Sequence, residues 1–191
     1  MESAPPRKQD LRNRMRRQLA ALTEADVRSK SAAIWERLAV LEEFNVAKCI
    51  SAYVSTRNEV ETRGLIRQLL AMGRQVCAPA FDGEWYRLAE IHDPDADLAA
   101  GKFGILEPKN GQVVTTEQVE AWLVPGLAFD LTGNRLGRGQ GFYDALLRGA
   151  HGARIALAYD FQILNEVPAE AHDARVDFIV TEKRVVETKG N

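Results

Sequence analysis

The run Arg135-Leu136-Gly137-Arg138-Gly139-Gln140-Gly141-Phe142-Tyr143-Asp144 combines residue types suited to binding an anion. Three glycines alternate with other residues, two arginines flank the first glycine, and an aromatic pair and an aspartate close the run. Glycine lets backbone N–H groups approach a ligand closely, in conformations closed to other residues. Amides curled in that way bind anions, as do the free N–H groups at the start of a following helix. Arginine adds a permanent charge in a planar fork that matches phosphate. Glycine spacing alone suits a plain turn with solvated arginines equally well; the arginines and the closing aspartate favour a phosphate site. The run is no P-loop, because it lacks the Gly-Lys-Ser/Thr ending. It also lacks the Gly-x-Gly-x-x-Gly spacing of a dinucleotide fingerprint.

Other candidates lie outside the run. Asp144 is either a magnesium ligand, in the company of phosphate oxygens and water, or a first-turn aspartate favoured by the helix dipole. Glu59, in Asn58-Glu59-Val60-Glu61-Thr62, is either a solvated acid at a helix start or a carboxylate that accepts hydrogen bonds from a polar heterocycle. Lys8, Arg12 and Arg16 recur every four residues and form a basic stripe, read as a solvated helix face or as phosphate contacts. His172-Asp173 with Asp177 forms an acidic group near the end of the chain. His92, His151 and His172 are too scattered to suggest a zinc site. The chain has no Gly-x-Ser-x-Gly elbow, so nothing points to a Ser-His-Asp hydrolase.

The elements that must position these residues follow from periodicity. Leu11, Met15, Leu19 and Leu22 predict a helix from about Arg7 to Leu22. Thr23 and Asp26 form a capping box for a second helix, whose buried face would be Val27, Ile34, Leu38 and Leu41. Lys48–Val54 reads as a strand, Leu65–Leu70 as a helix ending near Gly73, and Gln75–Pro79 as a strand. This alternation marks a βαβ unit with a parallel pair. Glu84–Ile91 is extended, residues 92–118 are less regular, and Glu120–Val124 is a strand stopped by Pro125-Gly126. A helix from about Gln140 to Arg148 follows the glycines, then strands at Arg154–Ala158 and Phe178–Val180. The whole is an α/β layered domain with a mostly parallel sheet flanked by helices. Ligands in such sheets bind beyond the carboxyl ends of the strands, which directs attention to the loops after Val54, Pro79 and Val124.

The chain has 191 residues, suited to one domain with a loose tail at residues 1–6. Its net charge of −2 provides no global field for nucleic acid. Residues 1–20 hold six Lys/Arg against Glu2 and Asp10, a local basic segment on a mildly acidic body that suits a small anion better than a long polyanion. Cys49 and Cys77 sit in apolar runs and read as reduced core thiols. No apolar stretch has the length of a membrane span, and the charged N-terminus lacks the apolar segment of a signal peptide. The expectation is a cytoplasmic protein, monomeric, without nucleic-acid or membrane partners.

Taken in order, the motifs resemble the 5-formyltetrahydrofolate cyclo-ligase family over nearly the whole chain. The blocks are Lys8 to Arg12, Asn58 to Thr62, Phe103-Gly104-Ile105-Leu106-Glu107-Pro108, Val124-Pro125-Gly126-Leu127-Ala128-Phe129-Asp130, Arg135 to Asp144, Pro168, His172-Asp173 and Val176-Asp177. The resemblance implies a Rossmann-like open α/β sandwich. It also implies an ATP- and Mg2+-dependent closure of 5-formyltetrahydrofolate, free or polyglutamylated, to 5,10-methenyltetrahydrofolate, through a phosphorylated formyl group. On the matching positions, ATP would meet Lys8, Arg12, Arg135, Gly137, Arg138, Gly139, Gln140, Gly141, Phe142 and Tyr143. Folate would meet Val54, Glu59, Arg138, Gly139, Gln140, Gly141 and Phe142, with Glu59 on the pterin. Arg138 and Tyr143 are the catalytic candidates, and Asp144 and Asp177 the metal ligands. The chain departs from the family pattern at Gln140, where some members have lysine, and at Phe142, where tyrosine is common. The alternatives are an ATP-using paralogue acting on another formylated heterocycle, and a non-catalytic folate- or nucleotide-binding protein.

Overall fold

The computed structural model describes residues 7–101, 104–170 and 173–188. The expected tail at residues 1–6, together with Phe103 and His172, lies outside the described residues.

Helix α1 (Lys8–Ala20) buries Leu11, Met15 and Leu19, the stripe expected from its period. Helix α2 (Glu24–Leu38) opens on the Thr23–Asp26 capping box, in which each residue's side chain bonds the other's backbone N–H. Ile34 and Leu38 are buried, whereas Val27 and Leu41 are only half-buried. A one-turn helix, α3 (Glu42–Asn45), leads into strand β1 (Cys49–Ser51), shorter than the apolar run containing it. Helix α4 (Arg63–Ala71) and strand β2 (Gln75–Phe81) complete the expected parallel unit, pairing Ile50 with Val76. Strand β3 (Tyr86–Ile91) then turns back antiparallel on β2. Strands β4 (Leu98–Ala100) and β5 (Leu106–Pro108) pair antiparallel, followed by β6 (Val113–Val114).

Strand β7 (Ala121–Val124) is buried throughout, with Trp122 fully enclosed and its indole N–H bonded to the His151 carbonyl at 2.7 Å. Strands β8 (Ala128–Asp130) and β9 (Arg135–Leu136) make a tight hairpin. Helix α5 (Phe142–Leu146) spans five residues, shorter than the nine expected from 140 to 148. The chain closes with β10 (Ala153–Leu157), β11 (Ile163–Leu164), β12 (Phe178–Val180) and β13 (Val185–Glu187). The main sheet has the order β13-β12-β10-β7-β1-β2-β3-β6. Its five central strands, β12 to β2, run parallel, and antiparallel strands extend both edges. A second sheet, β11-β8-β9, carries the start of the glycine-rich run. Cys49 and Cys77 are free thiols buried on β1 and β2. Among the described residues, no helix is long and apolar enough to cross a membrane.

The β8–β9 turn is organised by one carboxylate. Asp130, 2% exposed, accepts from the backbone N–H groups of Thr132, Asn134 and Val167 and from the side chains of Thr132 and Asn134. Gly133 turns the corner at φ +85°, where an added Cβ would overlap the Val176 carbonyl. Burial works against the charge of Asp130, but the hydrogen bonds outweigh it and hold its pKa below the ordinary carboxylate value. A carboxylate depressed in the folded state adds stability above its unfolded pKa of about 4 and loses it as pH falls through the folded value. Asp130→Asn is therefore predicted to lose about 2–3 kcal/mol at pH 7, from bonds to a charged acceptor. Urea denaturation at pH 7 and pH 3 should show the gap to wild type shrinking at the lower pH.

Candidate active site

A cleft of about 910 Å3 opens at the carboxyl ends of β1, β2 and β7, where parallel sheets place their ligands. Its walls include Tyr53, Val54, Thr56 and Glu59 after β1, the β2–β3 hairpin from Pro79 to Tyr86, and Pro125-Gly126 after β7. The glycine-rich run and the start of α1 close the opposite side. The three loops singled out by the strand pattern thus meet at one site.

The run is held in shape from beneath. The Arg135 side chain, 4% exposed, pairs with Asp144 Oδ1 at 2.6 Å and donates to the Pro125 carbonyl at 3.3 Å. The pair joins the strand before the glycines to the helix after them. A Cβ on Gly137 would sit 3.0 Å from Arg135 Nη1, so glycine gives the guanidinium its room. Gly139 (φ +106°) and Gly141 (φ +65°) take left-handed conformations that other residues adopt only under strain. From above, Arg12 Nε donates to the Gly137 carbonyl at 3.0 Å and Arg16 to the Arg138 carbonyl at 3.2 Å. The basic stripe of α1 therefore clasps the loop by its carbonyls. Lys8 reaches instead to Glu170 (2.7 Å) and Asp173 (2.8 Å). Burial opposes its charge, but these two carboxylates outweigh burial and raise its pKa.

Arg138 crosses the cleft. Its Nη2 meets Glu59 Oε1 at 2.6 Å and Thr56 Oγ1 at 3.2 Å. The other Glu59 oxygen accepts from the Thr56 backbone N–H (2.8 Å) and hydroxyl (2.9 Å). Both Glu59 oxygens are thus engaged, and Asn58, at φ +71°, makes the bend that aims the loop. The Tyr159 hydroxyl bonds the Glu59 carbonyl at 2.9 Å and braces the bend from β10's side.

Beyond Arg138 the cleft turns aromatic. The Phe142 ring packs 3.7 Å from Tyr86, whose ring lies 5.1 Å from Phe81. Trp85, at the hairpin tip, is 70% exposed although it lines the cleft. Val54 is buried in the cleft wall, while Gly139, Gln140 and Gly141 are exposed along it. The Tyr143 hydroxyl is buried with no hydrogen-bond partner among the described residues. Burial first, and the nearby Glu59 charge second, push its pKa far up, so at neutral pH it is an O–H donor and not a base.

Comparison with known proteins decides the lineage. The model of the 5-formyltetrahydrofolate cyclo-ligase family matches residues 4–182. The chain belongs to that family. The 5-formyltetrahydrofolate cyclo-ligase of Haemophilus influenzae is 32% identical over 174 residues, covering 87% of this chain and 93% of that protein. The mouse 5-formyltetrahydrofolate cyclo-ligase is 27% identical, covering 92% and 93%. The solved 5,10-methenyltetrahydrofolate synthetase of Aquifex aeolicus superposes with a TM-score of 0.87 at 36% identity, covering 96% of this chain and 94% of that one.

The cyclo-ligase site does not gather all its expected residues. Of the two expected metal ligands, only Asp144 lines the cleft. Its Oδ1 is committed to Arg135 and the Ala174 N–H, and its Oδ2 has no hydrogen-bond partner among the described residues. That oxygen fits magnesium, which commonly takes one or two carboxylates beside phosphate and water. Asp177 stands at the amino end of β12, exposed, with its Oδ2 accepting from the Arg154 N–H at 2.8 Å, and does not line the cleft. Sequence reasoning left Glu107 without a role, although it lies in a block that carries the resemblance. It is buried in the cleft wall, and the signal was an acid inside the apolar stretch Ile105-Leu106-Glu107-Pro108.

Breaking a largely buried ion pair strands its partner's charge. Arg135→Met is predicted to destabilise the fold by about 3–5 kcal/mol. The double variant Arg135→Met, Asp144→Leu should recover part of that loss in chemical denaturation, because no charge is left unpaired.

Proposed function

We propose that this chain closes 5-formyltetrahydrofolate to 5,10-methenyltetrahydrofolate with consumption of ATP. The observation that carries the proposal is a continuous cleft walled by a cationic glycine loop and by the rings of Phe81, Tyr86 and Phe142, in a chain of the cyclo-ligase family. At about 910 Å3 it lies near the upper end of small-molecule sites, which suits two substrates side by side.

In this reading the ATP phosphates lie against Gly137–Tyr143, with Lys8, Arg12 and Arg138 supplying charge. The folate lies toward Val54, Tyr86 and Phe142. The formyl oxygen attacks the γ-phosphorus and ADP leaves. The second amine of the folate then adds to the activated formyl carbon, loses its proton, and phosphate departs with the former formyl oxygen. Phosphoryl transfer of this kind depends on positioning and charge stabilisation and needs no protein nucleophile. Bound magnesium would neutralise phosphate charge, with Asp144 Oδ2 as its protein ligand.

The residues of the chain have separable parts in this scheme. Arg138 is paired with Glu59 in the free protein, and arriving phosphate offers it a stronger partner close by. Glu59 stays bonded to Thr56 throughout and keeps the loop in place. The Tyr143 O–H is protonated and has no hydrogen-bond partner among the described residues, and in this reading it donates to an oxygen of the reacting group once binding uncovers it. Phe142 and Tyr86 exclude water from that region.

Purified protein with ATP, magnesium and 5-formyltetrahydrofolate is predicted to form the methenyl product, followed as a rise in near-ultraviolet absorbance. Absence of product from folded protein sinks the proposal. Arg138→Ala should raise the KM for ATP by about 10- to 100-fold, the worth of a charge-assisted bond. Its effect on stability should stay below about 1 kcal/mol, because the pair it breaks is half-exposed. Equal loss of binding and stability would assign Arg138 a structural part only.

A further inference from the structure

We propose that Tyr86 is a substrate-binding residue whose hydroxyl donates to a carbonyl oxygen of the folate, in place of the hydroxyl that the glycine-rich run lacks at Phe142. The inference rests on the proposed folate substrate and adds to its site a residue from the opposite wall.

Four aromatic rings form a row along the cleft. Phe81 lies 5.1 Å from Tyr86, Tyr86 lies 3.7 Å from Phe142, and Phe142 lies 5.1 Å from Tyr143. All four residues line the cleft. Phe81 and Tyr86 are paired across the β2–β3 hairpin, whereas Phe142 and Tyr143 open α5. Phe142 follows Gly141 directly, and its ring carries no polar atom. Tyr86, in contact with that ring, is half-buried, and its hydroxyl has no hydrogen-bond partner among the described residues. The hairpin does not need this hydroxyl. It is held by the β2–β3 ladder and by Asp82, which accepts from the N–H groups of Glu84 and Trp85. Phenylalanine at position 86 would serve the packing equally well, so the hydroxyl is left over for a ligand.

Its surroundings indicate the ligand chemistry. Phe81, Ile105 and Leu106 line the cleft with it, and none of them carries a charge. Burial first, and the nearby Glu107 charge second, push the Tyr86 pKa up, so at neutral pH the group is an O–H donor. The same Glu107 charge repels phosphate, and the loop cation Arg138 reaches away to Glu59 and Thr56. The acceptor that suits this place is therefore an uncharged carbonyl oxygen on a flat ligand. Among apolar walls such a bond is stronger than in water. Contact with Phe81 and Phe142 restrains the Tyr86 ring beforehand, which lowers the cost of ordering it on binding.

The test is calorimetric titration of the full chain with 5-formyltetrahydrofolate and, separately, with a non-hydrolysable ATP analogue. The proteins are wild type, Tyr86→Phe, and the double variant Tyr86→Phe, Phe142→Tyr, which moves the hydroxyl across the ring contact. Tyr86→Phe should weaken folate binding by about 3- to 10-fold, the worth of a hydrogen bond between neutral groups. Its affinity for the nucleotide should be unchanged. The double variant should regain most of the lost folate affinity. Unaltered folate binding by Tyr86→Phe overturns the inference. Equal weakening of both ligands also overturns it, because that is the mark of a structural part. So does a double variant that binds folate no better than the single one. If wild type itself binds no 5-formyltetrahydrofolate, the folate reading fails and this inference falls with it.

Discussion

A loop with three glycines in five positions has no intrinsic shape, because each glycine adds backbone freedom that folding must remove. The Arg135–Asp144 pair removes it here. The two residues stand at the ends of the run, one on β9 and one on α5, and their bond pins the two ends of the loop together from below. Arg12 and Arg16 complete the restraint from above by bonding two of the loop carbonyls. Amide groups that would otherwise wander are thereby held over a cleft. The same bond has a chemical side effect. Arg135, counted by type among the phosphate cations, spends its fork on the scaffold, and Arg138 is left as the loop's mobile charge.

Two of the cleft's cations are matched by carboxylates in the free protein. Arg138 lies on Glu59, and Lys8 on Glu170 and Asp173. Such contacts prevent unpaired charges from lining a partly dehydrated site, and they set the order in which a polyanion must work. In the proposed reading, phosphate exchanges partners with groups already positioned, so little side-chain ordering remains to be done on binding. Glu59 holds its place through Thr56 whether or not Arg138 stays with it.

Much of this architecture was legible in the residues. The stripe of Leu11, Met15 and Leu19, the Thr23–Asp26 box and the apolar runs around β1, β2, β7, β10 and β12 all lie where local pattern places them. Local pattern could not show that β3 and β13 run antiparallel, because direction is a property of the pairing and not of the strand. The β8–β9 hairpin was missed for a related reason. Its strands are two and three residues long, and a buried aspartate, not periodicity, makes the turn. At the site, the loops after β1, β2 and β7 follow from topology, whereas the partners of Arg135, Arg138 and Lys8 are separated from them in space by nothing and in sequence by up to 165 residues. Asp177 matches by identity, and its place at the amino end of β12, outside the cleft wall, is a matter of topology that position in the sequence does not show.

The two walls of the cleft are built to different mechanical standards. The glycine-rich side grows from β9, an edge strand of the small second sheet, and is tied down by the Arg135–Asp144 pair. The aromatic side is a cantilever: β3 is anchored to β2 and to the two residues of β6, and its tip carries Trp85 into solvent. Tyr86, next to the tip, packs on Phe142 of the loop opposite, so the hairpin is free of that loop only at Trp85. From Tyr86 inward the hairpin and the glycine-rich loop form one packed wall, and only the tip beyond that ring can vary alone.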